Sequence, residues 1–459
     1  MEPGVSDDNR PEGGIMQMIS RNLFATSDDP KRLLIVLVAM MTSALLLGQQ
    51  LYDPEAVQAT AIVRLAGALG ALFIWLLTFF MQPLVAASVY NAISTNSKSV
   101  KIAVTAIAIF AATTASAVAW ASLVGKWLIP GLGVQFPQPE SADTASGIFD
   151  LLVVFLSKPF AAPWAEMDLL RLIAMMAMGA LIVVATSERV KSTADAMFKP
   201  MAKLTINWML RVLRVLPLAV FFMSLALAGT HGLGFLLDKV RVILMADVLA
   251  MGLHVLGIFL LLSVTWRGAV ITYMRHMSPA YVVAFGSSSS MGTLPTTMNC
   301  AEKAGVPKSI ASFIFPFGAT VNMDGTCVGI MIRVMVVLEA LGHSITWGDA
   351  LMIGGTVMGA SVATAAAPGA SIALLRSVLV TAAVATGVEG VSQDQVALVI
   401  VPFFAAFDFV SDRFRTLTNL VGDTFAAFVL TSFFKGPVDE LEGEQRRVPQ
   451  AGGKEEGES

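Results

Sequence analysis

The stretch Asp408-Phe409-Val410-Ser411-Asp412-Arg413-Phe414-Arg415-Thr416-Leu417-Thr418-Asn419-Leu420-Val421-Gly422-Asp423 lies inside an otherwise apolar segment, about residues 396–434, and its reading decides the fold. It puts five charges, Asp408, Asp412, Arg413, Arg415 and Asp423, into a length that spans a bilayer, for which about 20 residues suffice. At about 100° per residue, Asp408, Asp412, Arg415, Asn419 and Asp423 fall within about 80° of arc on one helix face. Thr416 lies at the edge of that face and Arg413 points away from it. A face of acid, base and amide within lipid must look into protein or water. A salt-bridge ladder clamping the helix to its neighbours would use part of it, but the whole stripe asks for a ligand. Arg415 offers a planar fork for a carboxylate. Asp412, one turn earlier, suits an ammonium group, and Asn419 suits a second carboxylate. Together those demands describe an acidic amino acid, with Asp423 left to hold a cation.

The rest of the chain agrees with a membrane setting. Apolar residues are 56% of the 459 before glycine is counted, and roughly 64% with it, against about 45–50% for a soluble protein. Charged residues are 14%, against about 25%. This composition excludes a disordered, collagen-like or nucleic-acid-binding chain. Two cysteines exclude a disulfide framework and a cysteine-built zinc site. Uncharged runs such as Leu33–Tyr52, Leu65–Ser97, Ile102–Gly125, Leu172–Ser187, Val215–Leu237 and Val248–Trp266 predict six ordinary spans near 33–52, 62–93, 101–127, 168–187, 205–232 and 242–266. No signal peptide is expected, because the first 30 residues are polar and acidic. The tail from Lys435 to Ser459 is charged and predicts disorder. Lys and Arg gather before span one, between spans two and three, between four and five, and after six. By the positive-inside rule both termini are expected on the cytoplasmic side, in a bacterial inner membrane.

The second half breaks this pattern. Met277–Ala301 is charge-free but holds Gly286, Ser287, Ser288, Ser289, Ser290, Gly292 and Pro295. That reads as a re-entrant hairpin, whose irregular tip is tolerated where protein or a cavity buries it. Ala350–Leu375 repeats the theme with a tip at Pro368–Gly369. Two such segments in one chain point to an internal repeat with a midplane site. Between them, Gly318-Ala319-Thr320-Val321-Asn322-Met323-Asp324-Gly325-Thr326 interrupts the span Phe313–Val337. A kinked helix with one buried, hydrogen-bonded Asp is the plainer account. Unwinding would instead free backbone carbonyls beside carboxylate and amide oxygens, a set suited to a hard cation.

These motifs resemble the dicarboxylate/amino acid:cation symporters, the glutamate and aspartate transporter family. The likeness is carried by Ser288-Ser289-Ser290 with Thr293-Leu294-Pro295, by Asn322-Met323-Asp324-Gly325-Thr326, by Ala367-Pro368-Gly369-Ala370, and by the pattern Asp-x-x-Arg-Thr-x-x-Asn-x-x-x-Asp from Asp412 to Asp423. It covers about residues 33–434. The resemblance implies an all-α polytopic fold of eight membrane helices and two re-entrant hairpins, with inverted repeats. It implies a homotrimer whose scaffold is 31–100 and 150–235. The moving, elevator-type transport domain would be 101–149 and 236–434, with hairpin one near 278–306, a broken span seven near 308–340, hairpin two near 348–386 and span eight near 394–434. It implies a substrate site of Ser289, Ser290, Thr326, Ala367, Asp412, Arg415, Thr416 and Asn419. One sodium site would use Asp423 with carbonyls of Gly318, Asn322 and Asn419. A second would use carbonyls near Thr320, Ser361, Val362 and Thr364, and a third Asn322, Asp324, Thr113 and Thr114, with Met323 between ions and substrate. The implied activity is secondary transport, not enzymatic catalysis, with sodium ions (or protons) as co-transported cations and no cofactor. The lipid bilayer is the other partner.

Some residues depart from the family pattern. Phe110 stands where a Tyr is common and removes one oxygen from the third cation set. Ile330 stands where mammalian members carry a proton-binding Glu, so neither that proton route nor potassium counter-transport is expected. Ser288 on the first hairpin, with Arg413 on span eight, follows the mammalian arrangement, and Arg413 is expected to engage the site's acids in a state-dependent way. A C4-dicarboxylate carrier is the alternative substrate reading, but members with that substrate commonly lack an acid at the position of Asp412. An intramembrane serine hydrolase would need a base near the serine run. None is apparent, since His231, His254, His276 and His343 are scattered.

Overall fold

The computed structural model describes residues 30–54, 59–94, 100–134, 136, 169–266, 268–361, 370–388 and 396–447. Every regular element among them is helical. In chain order these are α1 (Pro30–Leu51), α2 (Ala61–Ser94), α3 (Val100–Leu128), α4 (Leu169–Ala185), α5 (Glu188–Leu213) and α6 (Leu216–Trp266). They continue with α7 (Gly268–Ser287), α8 (Ser290–Lys303), α9 (Lys308–Val321), α10 (Asp324–Ala340), α11 (Trp347–Ser361) and α12 (Ala370–Thr386). A π-helical turn, Val396–Ile400, then leads into α13 (Val401–Arg447). Four segments are long and apolar enough to cross a membrane by length and composition: Val104–Leu128, Leu216–Val264, Ile310–Ala340 and Val401–Phe434.

The expected fifth span, 205–232, is corrected. α5 starts at Glu188, ends at Leu213, and a turn at Arg214–Val215 separates it from α6. Pro217 explains the break, since it has no N–H for a preceding turn but fits the first turn of a new helix. The expected loop between spans five and six is also absent. α6 runs through Asp238, Lys239 and Arg241, which lie on an exposed surface and pair among themselves. Only Gly232 leaves helical geometry, at φ 76°, ψ 155°, a region essentially reserved for glycine.

Gly232 divides α6 by its neighbours. Before it, Met223, Leu225 and Ala226 pack on Ala44, Ala66, Gly67 and Gly70 of α1 and α2. After it, Asp247 and His254 bond to groups on α3, α10 and α13. Lipid tails are as apolar as leucine, so close packing and polar contacts hold such helices together, not exclusion from water. α10 is the centre of the second group: Asp324 through Leu338 are all buried. A helix covered on every side needs apolar residues around its whole circumference, and Val328, Ile330, Met331, Ile332 and Val334 supply them.

The two-part reading of the second half has a backbone counterpart. α7 and α8 are separated at Ser288–Ser289, with Ser288 at φ 51°. The first arm begins at Gly268, ten residues before the expected start of the hairpin. α9 and α10 are separated at Asn322–Met323, close to the expected break. The expected tip of the second hairpin, with Val362, Thr364, Ala367, Pro368 and Gly369, lies outside the described residues, as do residues 137–168. At the C-terminal end the expected disordered tail is corrected in part: α13 kinks at Phe434 but continues as helix to Arg447.

Candidate functional site

The break between α9 and α10 builds the first cluster. Asn322 (φ −98°, ψ 87°) ends α9, its N–H bonded to the Gly318 carbonyl at 2.8 Å, and Met323 precedes α10. Asp324 opens α10, where the helix N-terminus favours a negative charge. Thr113 Oγ1 on α3 lies 3.1 Å from Asn322 Oδ1 and 3.3 Å from Asp324 Oδ1, and Thr114 Oγ1 donates to Asp324 Oδ1 at 2.9 Å. Asn322 Nδ2 donates to Asp423 Oδ1 on α13 at 3.2 Å. Gly318 permits this approach, because a Cβ there would collide with the Asp423 carboxylate. Asn322, Asp324 and Asp423 are fully or almost fully buried. Among the described residues no three of His, Cys, Asp and Glu cluster as transition-metal ligands. What is gathered is mostly oxygen: two carboxylates, an amide and two hydroxyls, the preference of a hard cation.

Asn419 joins this cluster to a second one. Its Oδ1 accepts from the backbone N–H of Gly325 (2.8 Å) and Thr326 (3.4 Å). Its Nδ2 faces Met323 Sδ (3.2 Å) and Thr326 Oγ1 (3.4 Å). One turn earlier on α13, Arg415 NH2 lies 2.7 Å from the Asp408 carboxylate and 2.9 Å from Asp412 Oδ1. Arg415 is 1% exposed, and its Nε and NH1 have no hydrogen-bond partner among the described residues. Buried guanidinium donors are costly to leave unmade.

The first hairpin approaches the same region. Ser289 caps α8, its Oγ accepting from Gly292 N at 3.1 Å, and Ser290 is buried in the first turn. Arg413 reaches that tip: NH1 donates to Ser288 Oγ (3.0 Å) and to the Gly286 carbonyl (3.3 Å). In this conformation Arg413 bonds to the first hairpin.

Of the residues read from sequence, Thr113, Thr114, Gly318, Asn322, Asp324 and Asp423 come together, as do Met323, Thr326 and Asn419, and Arg415 with Asp412. Thr416 is buried beside Arg415. The hydroxyls of Thr320 and Ser361 bond within their own helices, at Phe317 O (2.9 Å) and Met358 O (2.8 Å). Val362, Thr364 and Ala367 lie outside the described residues. Phe110 sits against Phe317, ring centroids 5.9 Å apart; its side chain has no oxygen, but its backbone carbonyl accepts from Thr113 Oγ1 at 3.1 Å.

Two residues were missed. His254 Nε2 lies 3.3 Å from Asp324 Oδ2 and its Nδ1 lies 3.4 Å from Ser116 Oγ, so this histidine does stand beside a hydroxyl. Asp247 accepts from Ser411 Oγ at 2.6 Å and pairs with Arg333 NH2 at 3.3 Å. Both are fully buried. The sequence held one signal: residues 247 and 254 are seven apart, hence on one helix face, in otherwise apolar surroundings.

Comparison with known proteins places this arrangement. The proton/sodium-glutamate symport protein of Bacillus subtilis (strain 168) is 26% identical over 379 residues, 80% of this chain and 85% of that protein. An excitatory amino acid transporter of Caenorhabditis elegans is 27% identical over 245 residues, 53% of this chain and 46% of that protein. Excitatory amino acid transporter 2 of Homo sapiens is 32% identical over 193 residues, 41% of this chain and 32% of that protein. The match thus spans less than half of either animal protein. The model of the sodium:dicarboxylate symporter family matches residues 15–433, running from before α1 through both buried clusters and nearly to the kink in α13, and the chain belongs to that family.

Proposed function

We propose that this chain is a secondary symporter that couples inward sodium movement to uptake of an acidic amino acid, L-aspartate or L-glutamate. One observation carries the reading: Asp412 and Arg415 lie 2.9 Å apart, with two Arg415 nitrogens unpartnered, one turn from Asn419. A substrate ammonium would take Asp412, its side-chain carboxylate the free donors of Arg415, and its α-carboxylate the amide of Asn419 with Thr326. Ser289, Ser290 and Ala367 would close the site from the two hairpins, with Thr416 at its edge. The names of the relatives, a proton/sodium-glutamate symporter and excitatory amino acid transporters, support the same substrate class.

Cations would enter at Asp423 with carbonyls of Gly318, Asn322 and Asn419, and at Asp324 with Thr113, Thr114 and Asn322. A further site would use Thr320, Ser361, Val362 and Thr364. Coupling follows from shared groups. Asn419 and Met323 touch each other and stand between the two clusters, so an ion that fixes Asn322 and Asp423 also orders the substrate's amide partner. Each ligand then favours the other by the same factor. Buried, uncompensated carboxylates penalise movement of the ion-free site. On this reading the protein is a homotrimer in a bacterial inner membrane with both termini cytoplasmic, and its transport domain moves as an elevator gated by the second hairpin.

The test is radiolabelled uptake into proteoliposomes under an inward sodium gradient, an inward proton gradient, or neither, with Arg415→Cys and Asp412→Ser in parallel. Sodium-driven aspartate or glutamate uptake, lost in both variants, is expected. Proton-driven uptake would keep the substrate and reassign the coupling ion. Succinate or malate accumulation without amino-acid uptake would replace this reading by a C4-dicarboxylate symporter, which needs Arg415 but not Asp412.

A further inference from the structure

Arg333 is the group this mechanism leaves unused. It stands on α10, 1% exposed, in the densest part of the protein. Its NH1 donates to the Gly329 carbonyl at 2.6 Å. Its NH2 bridges two carboxylates, Asp408 Oδ1 at 3.1 Å and Asp247 Oδ2 at 3.3 Å. Asp247 is held in turn by Ser411 at 2.6 Å. Asp408 is therefore shared by two guanidinium groups, since Arg415 NH2 also lies 2.7 Å from its carboxylate. Both arginines close over Gly329, where a Cβ would sit 2.7 Å from Arg333 NH1 and 2.8 Å from Arg415 Cδ.

Such sharing has a consequence for binding. Without substrate, Arg415 serves two internal acids, Asp408 and Asp412. A substrate carboxylate that takes Nε and NH1 draws the guanidinium, and with it NH2, away from both. Asp412 is released when the substrate brings its ammonium group, but Asp408 receives nothing from the substrate. A buried carboxylate that loses its counter-ion is strongly penalised, so Asp408 would hold Arg415 back. Arg333 removes that penalty, because it remains on Asp408 when Arg415 turns away, and Asp247 fixes it there.

We infer that Arg333, anchored by Asp247, is a positioning residue for substrate binding: it is the standing counter-ion of Asp408 that frees Arg415 for the substrate carboxylate. The inference rests on the acidic-substrate reading above.

The test is equilibrium binding of L-aspartate, L-glutamate and succinate to the purified protein in sodium. Arg333→Met alone strands two buried acids and is prone to misfold, so the working variant is Asp247→Asn/Arg333→Met, which removes the pair together. Monodispersity and the thermal midpoint report its folding. Its affinity for the acidic ligand is expected to fall about tenfold, within the usual range for coupled sites. Adding Asp408→Asn to that double variant removes the competitor for Arg415 and is expected to restore most of the loss. A packing role for Arg333 predicts no such recovery. Wild-type binding with an unchanged double variant overturns the inference, as does a double variant that Asp408→Asn does not rescue. If the wild type binds succinate alone, the amino-acid reading fails while the same comparison, made on succinate, still decides the role of Arg333. A folded wild type that binds none of the three sinks both.

Discussion

Arg413 ties α13 to the first hairpin. It sits off the polar stripe of α13, and its NH1 spans to Ser288 Oγ and Gly286 O at the first hairpin tip. Hydrogen bonds from a charged donor are each worth roughly 1.5–3 kcal/mol. Arg413→Met is therefore expected to loosen the tip and reduce uptake by about tenfold, roughly 1.4 kcal/mol. Ser288→Ala, which removes the shorter of the two bonds, is expected to show a smaller drop in the same uptake assay. Equal, wild-type rates in both variants would show that the tip needs neither contact. At this scale Asp412, Arg415, Asn419 and Asp423 were legible because a fixed helical period places them on one face. Asp247 and Arg333 were not, because they stand on different helices, 86 residues apart in a chain whose folding alone brings them to 3.3 Å.

Helix ends carry the clearest element-scale logic. α11 begins with a reciprocal cap: Asp349 N donates to Thr346 Oγ1 at 3.1 Å, and Thr346 N donates to Asp349 Oδ2 at 2.8 Å. His343 Nε2 lies 3.1 Å from the same carboxylate oxygen. Burial opposes ionisation of Asp349, but the bonds from the Thr346 backbone and hydroxyl and from His343 outweigh it and hold the carboxyl below its ordinary range. A depressed folded value means that the stabilisation is complete above the unfolded carboxylate value, about 3.9, and is lost as pH falls through the lower folded one. Thermal midpoints between about pH 5 and pH 3 are thus expected to fall more steeply in the wild type than in Asp349→Asn. Thr346→Ala is expected to cost about 1 kcal/mol at neutral pH. In α6 the controlling position is Gly232. A side chain there meets a backbone conformation that costs roughly 1–3 kcal/mol for other residues, and its Cβ would lie 2.8 Å from the Tyr52 ring. Gly232→Ala is expected to lower the thermal midpoint accordingly, whereas the exposed Gly234→Ala, where nothing lies within 4 Å, is expected to leave it unchanged or raise it.

For the whole molecule, the division of α6 at Gly232 is the main consequence. The part of α6 before Gly232 packs with α1 and α2, while the part after this break bonds to the helices that build both buried clusters. The expected boundary between scaffold and transport domain, at 235–236, falls beside it. Ligand linkage offers a global readout: sodium with the acidic substrate at 100 times its Kd is expected to add about 2.7 kcal/mol of stability. Neither partner alone should give the full shift if the sites are coupled. Equal stabilisation by substrate with and without sodium would separate the two clusters functionally.

The membrane character, the interruption at Ser288–Ser289, the break near Asn322 and the polar face of α13 follow from local composition and helical period, which act over a few turns. The extent of α5, the continuity of α6 through Asp238, and the helix beyond Phe434 needed the backbone itself, because charge alone does not say whether a helix stops or presents that charge on an exposed face. The pairing of His254 with Asp324, the bridge from Asp247 through Arg333 to Asp408, and the grip of Arg413 on the first hairpin belong to tertiary structure alone. Each joins helices distant in sequence, and no period within one helix encodes its partner on another.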